Sequence, residues 1–394
     1  MKYILLIFDG MSDIPSPELD GKTPLMLART PYMDDLAKKG QVGTVVNHPA
    51  EMYAGSDVCN MTILGYDPKN YYCGRGPLEA ASIDIPLDPN DVAFRCNLIS
   101  TDGEHIVDST AGHIETEDAR PLMELIAKKL GGQQVQFYPG VSYRHIMVWR
   151  DGSDNVKCDE PYRFIGERIA DHLPQGDGEE KLRKLMWDSI EILDAHPYNK
   201  RRKAEGKEPA NMIWFWGQGR APQLQSFFSK YDKRGSVIAA VDLIRGIGRL
   251  VGLKVVDVPG ATGYIDTNYV GKGEYAFQEL QDNDFVMVHV EAPDEAGHEK
   301  DAEKKIYAIE QCDEHVLGTI LHRMKRYDDF RLLVLPDHPT PISTGSHSPE
   351  PVPYLLFDSR VQKTNTIPFD ERALEEAKTF IDDGTELLPM LFKR

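Results

Sequence analysis

The sequence predicts an α/β protein: a mostly parallel sheet between helices, with a smaller α+β domain inserted into it. Two observations carry this expectation. Continuous apolar runs, the form taken by strands buried on both faces, recur along most of the chain with helical patterns between them. One stretch breaks that rhythm with alternating segments and Asp-Gly turns. The first run is residues 3–8, ending in Asp9-Gly10; the others are 211–216, 236–241, 254–258, 285–290 and 331–335. Helical periodicity marks 181–195, and also 302–324, where Ile306, Ile309, Val316, Leu317, Ile320 and Met324 share a face. The deviating stretch, 84–178, holds alternating segments at 92–98 and 143–149, a helical pattern at 119–130, and the turns Asp102-Gly103 and Asp151-Gly152. Pro174-Gln-Gly-Asp-Gly178 reads as its closing linker. The expected division is therefore an α/β domain made of 1–83 and 179–394, with 84–178 as an inserted α+β domain.

Composition narrows the function classes. The chain has 394 residues, with 45 Lys and Arg against 63 Asp and Glu, a net charge of −18. Such a chain suits neither nucleic acid nor an anionic membrane, and an anionic substrate needs a local cluster of cations. No apolar run approaches the ~20 residues of a membrane span, and the N-terminus lacks a signal-peptide pattern. Five scattered cysteines without C-x-x-C spacing fit free thiols in a reducing cytoplasm. Gly246-Ile-Gly248 resembles a dinucleotide loop. However, Val241, Ile244, Ile247 and Val251 carry a helical face through it, so it reads as a tightly packed helix. No Walker A loop is present.

Ligands of open α/β sheets bind beyond the carboxyl ends of the strands. After the first run stands Asp9. After 285–290 come Asp294 and His298 in Asp294-Glu-Ala-Gly-His298. After 331–335 come Asp337 and His338, then His347 in Gly-Ser-His347-Ser-Pro. Singly, each of these is as readily a helix cap or turn former. Together they bring three carboxylates and three imidazoles to one sheet edge, an oxygen and nitrogen donor set that suits Mn²⁺ or Zn²⁺ better than Ca²⁺ or Mg²⁺. Ser56, in Ala54-Gly55-Ser56-Asp57, opens an apolar helical pattern. It is either an N-cap or a nucleophile held at a helix N-terminus, where N–H groups and the dipole favour an anion.

These residues, with Phe8-Asp-Gly10, Asn60, Leu64-Gly-Tyr-Asp67, Gly74-Arg-Gly-Pro-Leu-Glu-Ala80, Trp216-Gly-Gln-Gly-Arg220, Val258-Pro-Gly-Ala-Thr-Gly263 and Asp337-His338-Pro, resemble the archaeal-type cofactor-independent phosphoglycerate mutases of the alkaline phosphatase superfamily. The resemblance runs over nearly the whole chain. It implies an alkaline-phosphatase-like sandwich and an isomerase of glycolysis and gluconeogenesis. Such an enzyme interconverts 3- and 2-phosphoglycerate through a phosphoserine on Ser56, without 2,3-bisphosphoglycerate. It further implies two divalent ions, with Mn²⁺ as the usual metal and Zn²⁺, Co²⁺ or Mg²⁺ as alternatives. By motif, Asp9, Ser56, Asp337 and His338 hold one ion, and Asp294, His298 and His347 the other. The substrate is a small phosphorylated carboxylic acid, and Arg75, Arg144, Arg220 and Lys272 are candidates to clamp its charges, Arg75 and Lys272 ahead of Arg144 and Arg220. His113 stands where relatives are expected to carry Arg; it is either a proton shuttle or a structural histidine. A phosphatase or another phosphotransferase, including the homoserine kinase proposed for some bacterial relatives, is the alternative on the same fold.

Overall fold

The computed structural model describes residues 1–327, 329–361 and 363–393. In chain order its strands are β1 (Lys2–Phe8), β2 (Gln41–Val45), β3 (Val92–Thr101), β4 (Ile106–Asp108), β5 (Val135–Tyr138), β6 (Arg144–Trp149), β7 (Val156–Lys157), β8 (Gln175–Gly176), β9 (Met212–Gly219), β10 (Gly235–Ile238), β11 (Lys254–Val256), β12 (Phe285–Val290), β13 (Phe330–Leu335), β14 (Val352–Asp358) and β15 (Phe380–Ile381). The chain forms two compact units, one of Met1–Tyr72 with Leu224 onward, the other of Cys73–Gln223.

The first unit is built on an eight-stranded sheet of order β11-β10-β12-β1-β13-β14-β2-β15. β1 runs parallel between β12 and β13, with Phe8 opposite Val290 and Ile7 opposite Leu335. That register brings three carboxyl ends to one edge. The continuous apolar run of β1 is buried on both faces. Ile4, Leu6 and Phe8 join Val286, Val288, Leu332 and Val334 in a core sealed by Leu280, Ile309 and Ile320 from covering helices. β14 is antiparallel to both β13 and β2, which makes the sheet mixed at that side.

The second unit has a five-stranded antiparallel sheet. β3 lies between β6 and β9, β5 pairs with β6, and β4 pairs with the end of β3. Helices Thr116–Leu130 and Glu179–Asp194 contribute Leu122, Ile126, Leu182 and Met186 to its core.

Three expectations differ from the structure. The run 211–216 was expected in the large parallel sheet; β9 instead pairs antiparallel with β3 in the second unit. A strand buried on both faces reads the same in either sheet. Consequently the second unit spans Cys73–Gln223 rather than 84–178, because helices Arg75–Ser82 and Glu179–Asp194 belong with β3 and β9. The single helix expected at 302–324 is Ala302–Gln311, a π-helical stretch Cys312–Leu317, and Gly318–Met324. Asp313 in that stretch accepts from the N–H groups of Tyr32 (3.1 Å) and Met33 (2.7 Å), satisfying free donors at the start of helix Pro31–Lys39. The Gly246-Ile-Gly248 segment lies within helix Asp242–Leu250, where a Cβ on Gly248 would run into Val237.

Candidate active site

Asp9 leaves β1 between the ends of β12 and β13 and is fully buried. Gly10 follows with φ +59°, and a Cβ there would lie 2.7 Å from the Asp294 backbone, so only glycine lets the two loops meet this closely. Helix Ala292–His298 carries Asp294 and His298 on one face, one turn apart. Helix Ser56–Ile63 begins with Gly55 as its N-cap, and Ser56 is its first residue. Ser56 is therefore not the capping residue, and its Oγ lies 3.2 Å from His338 Nε2.

All seven expected metal-site residues converge within the first unit. His338 Nε2 is 3.4 Å from Asp9 Oδ1 and 3.6 Å from Asp337 Oδ2. Asp294 Oδ2 is 3.1 Å from His298 Nε2, and its Oδ1 is 3.5 Å from His347 Nε2. The His298 and His347 Nε2 atoms are 3.1 Å apart, two imidazole nitrogens aimed at one point. Among the described residues, three groups have ligand atoms within 4.8 Å of one another: Asp294, His298 and His347; Asp9, Asp294 and His338; Asp9, His289 and Asp337. Neither oxygen of Asp9 has a hydrogen-bond partner among the described residues, although both are buried. A buried carboxylate without a hydrogen bond is costly, and a divalent cation would supply the missing partner. The donor set fits such an ion.

Neighbours fix the orientations of these side chains. Asp337 Oδ1 accepts from the N–H groups of Gly10 (3.2 Å) and His338 (3.0 Å), and Oδ2 accepts from Asn60 Nδ2 (2.8 Å). Thr340 Oγ1 donates its hydrogen to Asp294 and so accepts from His338 Nδ1, 3.3 Å away. The lone pair of His338 is then on Nε2, facing Ser56 and Asp9. Electrostatics follow the packing. Burial pushes the Asp9 carboxyl well up, reinforced by the negative charge of Asp337, Glu291 and Asp294. Burial acts on Asp294 in the same sense, but hydrogen bonds from His298 and His347 outweigh it and hold Asp294 well below the usual range. His298 in turn is raised to about 9, chiefly by its bond to Asp294. Burial lowers His338.

The expected clamps are distributed over both units. Lys272, in helix Tyr269–Asp282 of the first unit, is buried and donates to the carbonyl of His289 (2.8 Å). Burial lowers its amine to about 8. In the second unit, Arg75 opens helix Arg75–Ser82 and lies over the Trp216 ring at 5.8 Å, with Arg95 over the same ring at 4.8 Å. Arg144 begins β6, with its Nε buried. Arg220 is committed to the carbonyls of Asn90 and Gly152 and to Asp154. His113 is exposed, with φ 51°, in a loop where Ala111 and Gly112 are also left-handed. That is a backbone state concentrated at functional sites.

Comparison with known proteins gives the site its context. A family model for 2,3-bisphosphoglycerate-independent phosphoglycerate mutases matches residues 37–199. The enzyme of that name from Methanosarcina barkeri is 46% identical over the whole of both chains. The chain belongs to this family. A second such mutase, from Methanothermobacter thermautotrophicus, is 50% identical over 95% of this chain and 93% of its own. The solved cofactor-independent phosphoglycerate mutase of Thermoplasma acidophilum is 28% identical with a TM-score of 0.69, covering all of this chain and 99% of its own.

Within this family member, sequence reasoning missed His289, Glu291, Thr340 and Lys305. His289 sits inside the apolar run of β12 and reads as core. Thr340 and Lys305 lack any local signal. Lys305 is fully buried and joins the loop after β1 to the loop after β13. It donates to Asp13 (2.8 Å), the carbonyl of Ser12 (3.0 Å) and the carbonyl of Thr340 (2.7 Å).

Proposed function

We propose that the chain interconverts 3-phosphoglycerate and 2-phosphoglycerate through a phosphoserine on Ser56, at a site holding two divalent ions and without 2,3-bisphosphoglycerate. The observation that carries this reading is the convergence of Ser56 Oγ with Asp9, Asp337 and His338 beside the Asp294, His298 and His347 group. In this reading Asp9, Ser56, Asp337 and His338 hold one ion and Asp294, His298 and His347 the other, with Mn²⁺ expected and Zn²⁺, Co²⁺ or Mg²⁺ as alternatives. When bound, such ions acidify a serine hydroxyl and neutralise a transferring phosphoryl group. Ser56 Oγ attacks phosphorus in line, the bond from phosphorus to the glycerate oxygen breaks, and that oxygen takes up a proton. The other glycerate hydroxyl then loses its proton, attacks the phosphoserine and regenerates Ser56. Ser56 stands at the N-terminus of helix Ser56–Ile63, where the helix dipole favours the phosphoryl charge. Arg75 and Arg144 are proposed to clamp the substrate's anionic groups, and His113 to carry the hydroxyl proton. Arg220, engaged by Asn90, Gly152 and Asp154, holds its own loop. Lys272 contributes a fixed positive charge behind the end of β12.

The test is direct. Purified protein loaded with Mn²⁺ is given 3-phosphoglycerate without 2,3-bisphosphoglycerate, and the appearance of 2-phosphoglycerate is measured against release of free phosphate. Isomer without phosphate supports the mutase. Phosphate alone turns the reading to a phosphatase.

A further inference from the structure

His289 has no part in the ligand sets above, yet it is fully buried at the end of β12 with neither ring nitrogen hydrogen-bonded among the described residues. Its Nε2 lies 3.0 Å from Asp9 Oδ2. On the other side of the ring, Glu291 Oε2, also buried and without a partner, lies 3.8 Å from Nδ1. Asp9 thus presents Oδ1 to His338 and Oδ2 to His289. Asp337 completes a three-ligand group with Asp9 and His289. Five buried polar atoms of Asp9, His289 and Glu291 thus lack a hydrogen bond among the described residues, which is costly. One cation among Asp9, His289 and Asp337 removes most of that cost. The remaining atoms, His289 Nδ1 and Glu291 Oε2, face each other at 3.8 Å, the arrangement of metal sites in which a ligating histidine turns its other nitrogen to a carboxylate.

We propose that His289, oriented by Glu291, is a metal ligand on the inner side of Asp9, so that Asp9 bridges two cation positions. The outer position faces His338 and Ser56, the inner one faces His289, and Asp337 adjoins both. The inference rests on the reading that this cluster binds divalent ions, and it adds to the two ions of that reading a further cation position, its histidine ligand and an orienting carboxylate.

The test is Mn²⁺ binding by the full chain after chelator treatment, followed by calorimetry and by pulsed electron paramagnetic resonance of the loaded protein. His289→Gln is expected to weaken one class of Mn²⁺ sites at least tenfold and to remove one imidazole nitrogen coupling. Glu291→Gln should weaken the same class about 10–100-fold with the coupling retained. Should His289→Gln fail to fold, Glu291→Gln and an anomalous difference map of Mn²⁺-loaded wild-type crystals decide the matter. A peak within coordinating distance of His289 Nε2 supports the proposal. Peaks at Asp294 and His298 with none at His289, or unchanged Mn²⁺ affinity and couplings in a folded His289→Gln protein, overturn it. Wild-type protein that takes up no Mn²⁺ defeats the metal reading of the whole cluster, and this inference with it.

Discussion

Ser56 is the first residue of its helix and Gly55 stands at the cap, so the hydroxyl has no capping bond to lose. Ser56→Ala should leave the thermal midpoint almost unchanged and lower kcat by several orders of magnitude, since the proposed nucleophile is gone. Intact-mass analysis after quenching should find a phosphoryl adduct on the wild type and none on the variant. A folded variant with near-normal turnover would end the covalent mechanism. Lys272 makes the opposite kind of prediction. Its amine falls from 10.5 to about 8 because burial disfavours the charge, a penalty of roughly 3 kcal/mol at neutral pH. Lys272→Met removes that penalty and loses one hydrogen bond to the His289 carbonyl worth about 1 kcal/mol. Net stabilisation of roughly 2 kcal/mol is expected in urea titrations at pH 7, together with loss of activity. Between pH 8 and 10.5 the unfolded chain binds more protons at Lys272 than the folded one, so the wild type gains stability as pH rises and the gap to Lys272→Met should close. A gap that stays constant across that window would contradict the assigned cause. The residue scale also shows what could be read in advance. Asp9, Asp294 and Asp337 were legible because each follows a strand end, whereas His289 was hidden because a ligand inside an apolar run looks like core.

The loops that present these side chains are held by elements remote in sequence. Lys305, in helix Ala302–Gln311, ties the Ser12 and Thr340 carbonyls to the Asp13 carboxylate, fixing the loop after β1 against the loop after β13. Glu371 supports the first loop by accepting from Ser12 Oγ (3.0 Å), the Asp13 N–H (3.0 Å) and Thr23 Oγ1 (2.6 Å). Removing one partner of a buried ion pair strands the other, so Lys305→Ala should cost about 3–5 kcal/mol in chemical denaturation. A loss under 1 kcal/mol would mean that solvent reaches Asp13. The elements themselves were unevenly legible. β1, β12 and β13 announced themselves as continuous apolar runs. β2 and β14 did not: Gln41-Val-Gly-Thr-Val45 is short with a central glycine, and β14 carries Pro353. The π-helical stretch escaped because periodicity does not encode the long-range contact that Asp313 makes there with the start of helix Pro31–Lys39.

At the scale of the whole molecule, the change of strand character announced a second unit but put its limits too far inward, since β9 and the helices beside it obey the same burial pattern as the first unit. No helix among the described residues is long and apolar enough to cross a membrane. The second unit has a core of its own, from Val92 and Phe94 of β3 to Leu182 and Trp214. A mutase that holds its phosphoryl group on a serine must exclude water until the glycerate hydroxyl attacks, or it becomes a phosphatase. We therefore propose that the second unit serves as the lid. If it does, small-angle scattering of Mn²⁺-loaded protein should change on adding 3-phosphoglycerate. Lengthening the crossing at Ala221-Pro222-Gln223 with glycines should then raise the ratio of phosphate release to isomerisation, because closure becomes slower or less complete while the chemistry at Ser56 is untouched. An unchanged scattering curve together with an unchanged ratio would remove the lid, and water exclusion would have to come from the loops around Ser56 themselves.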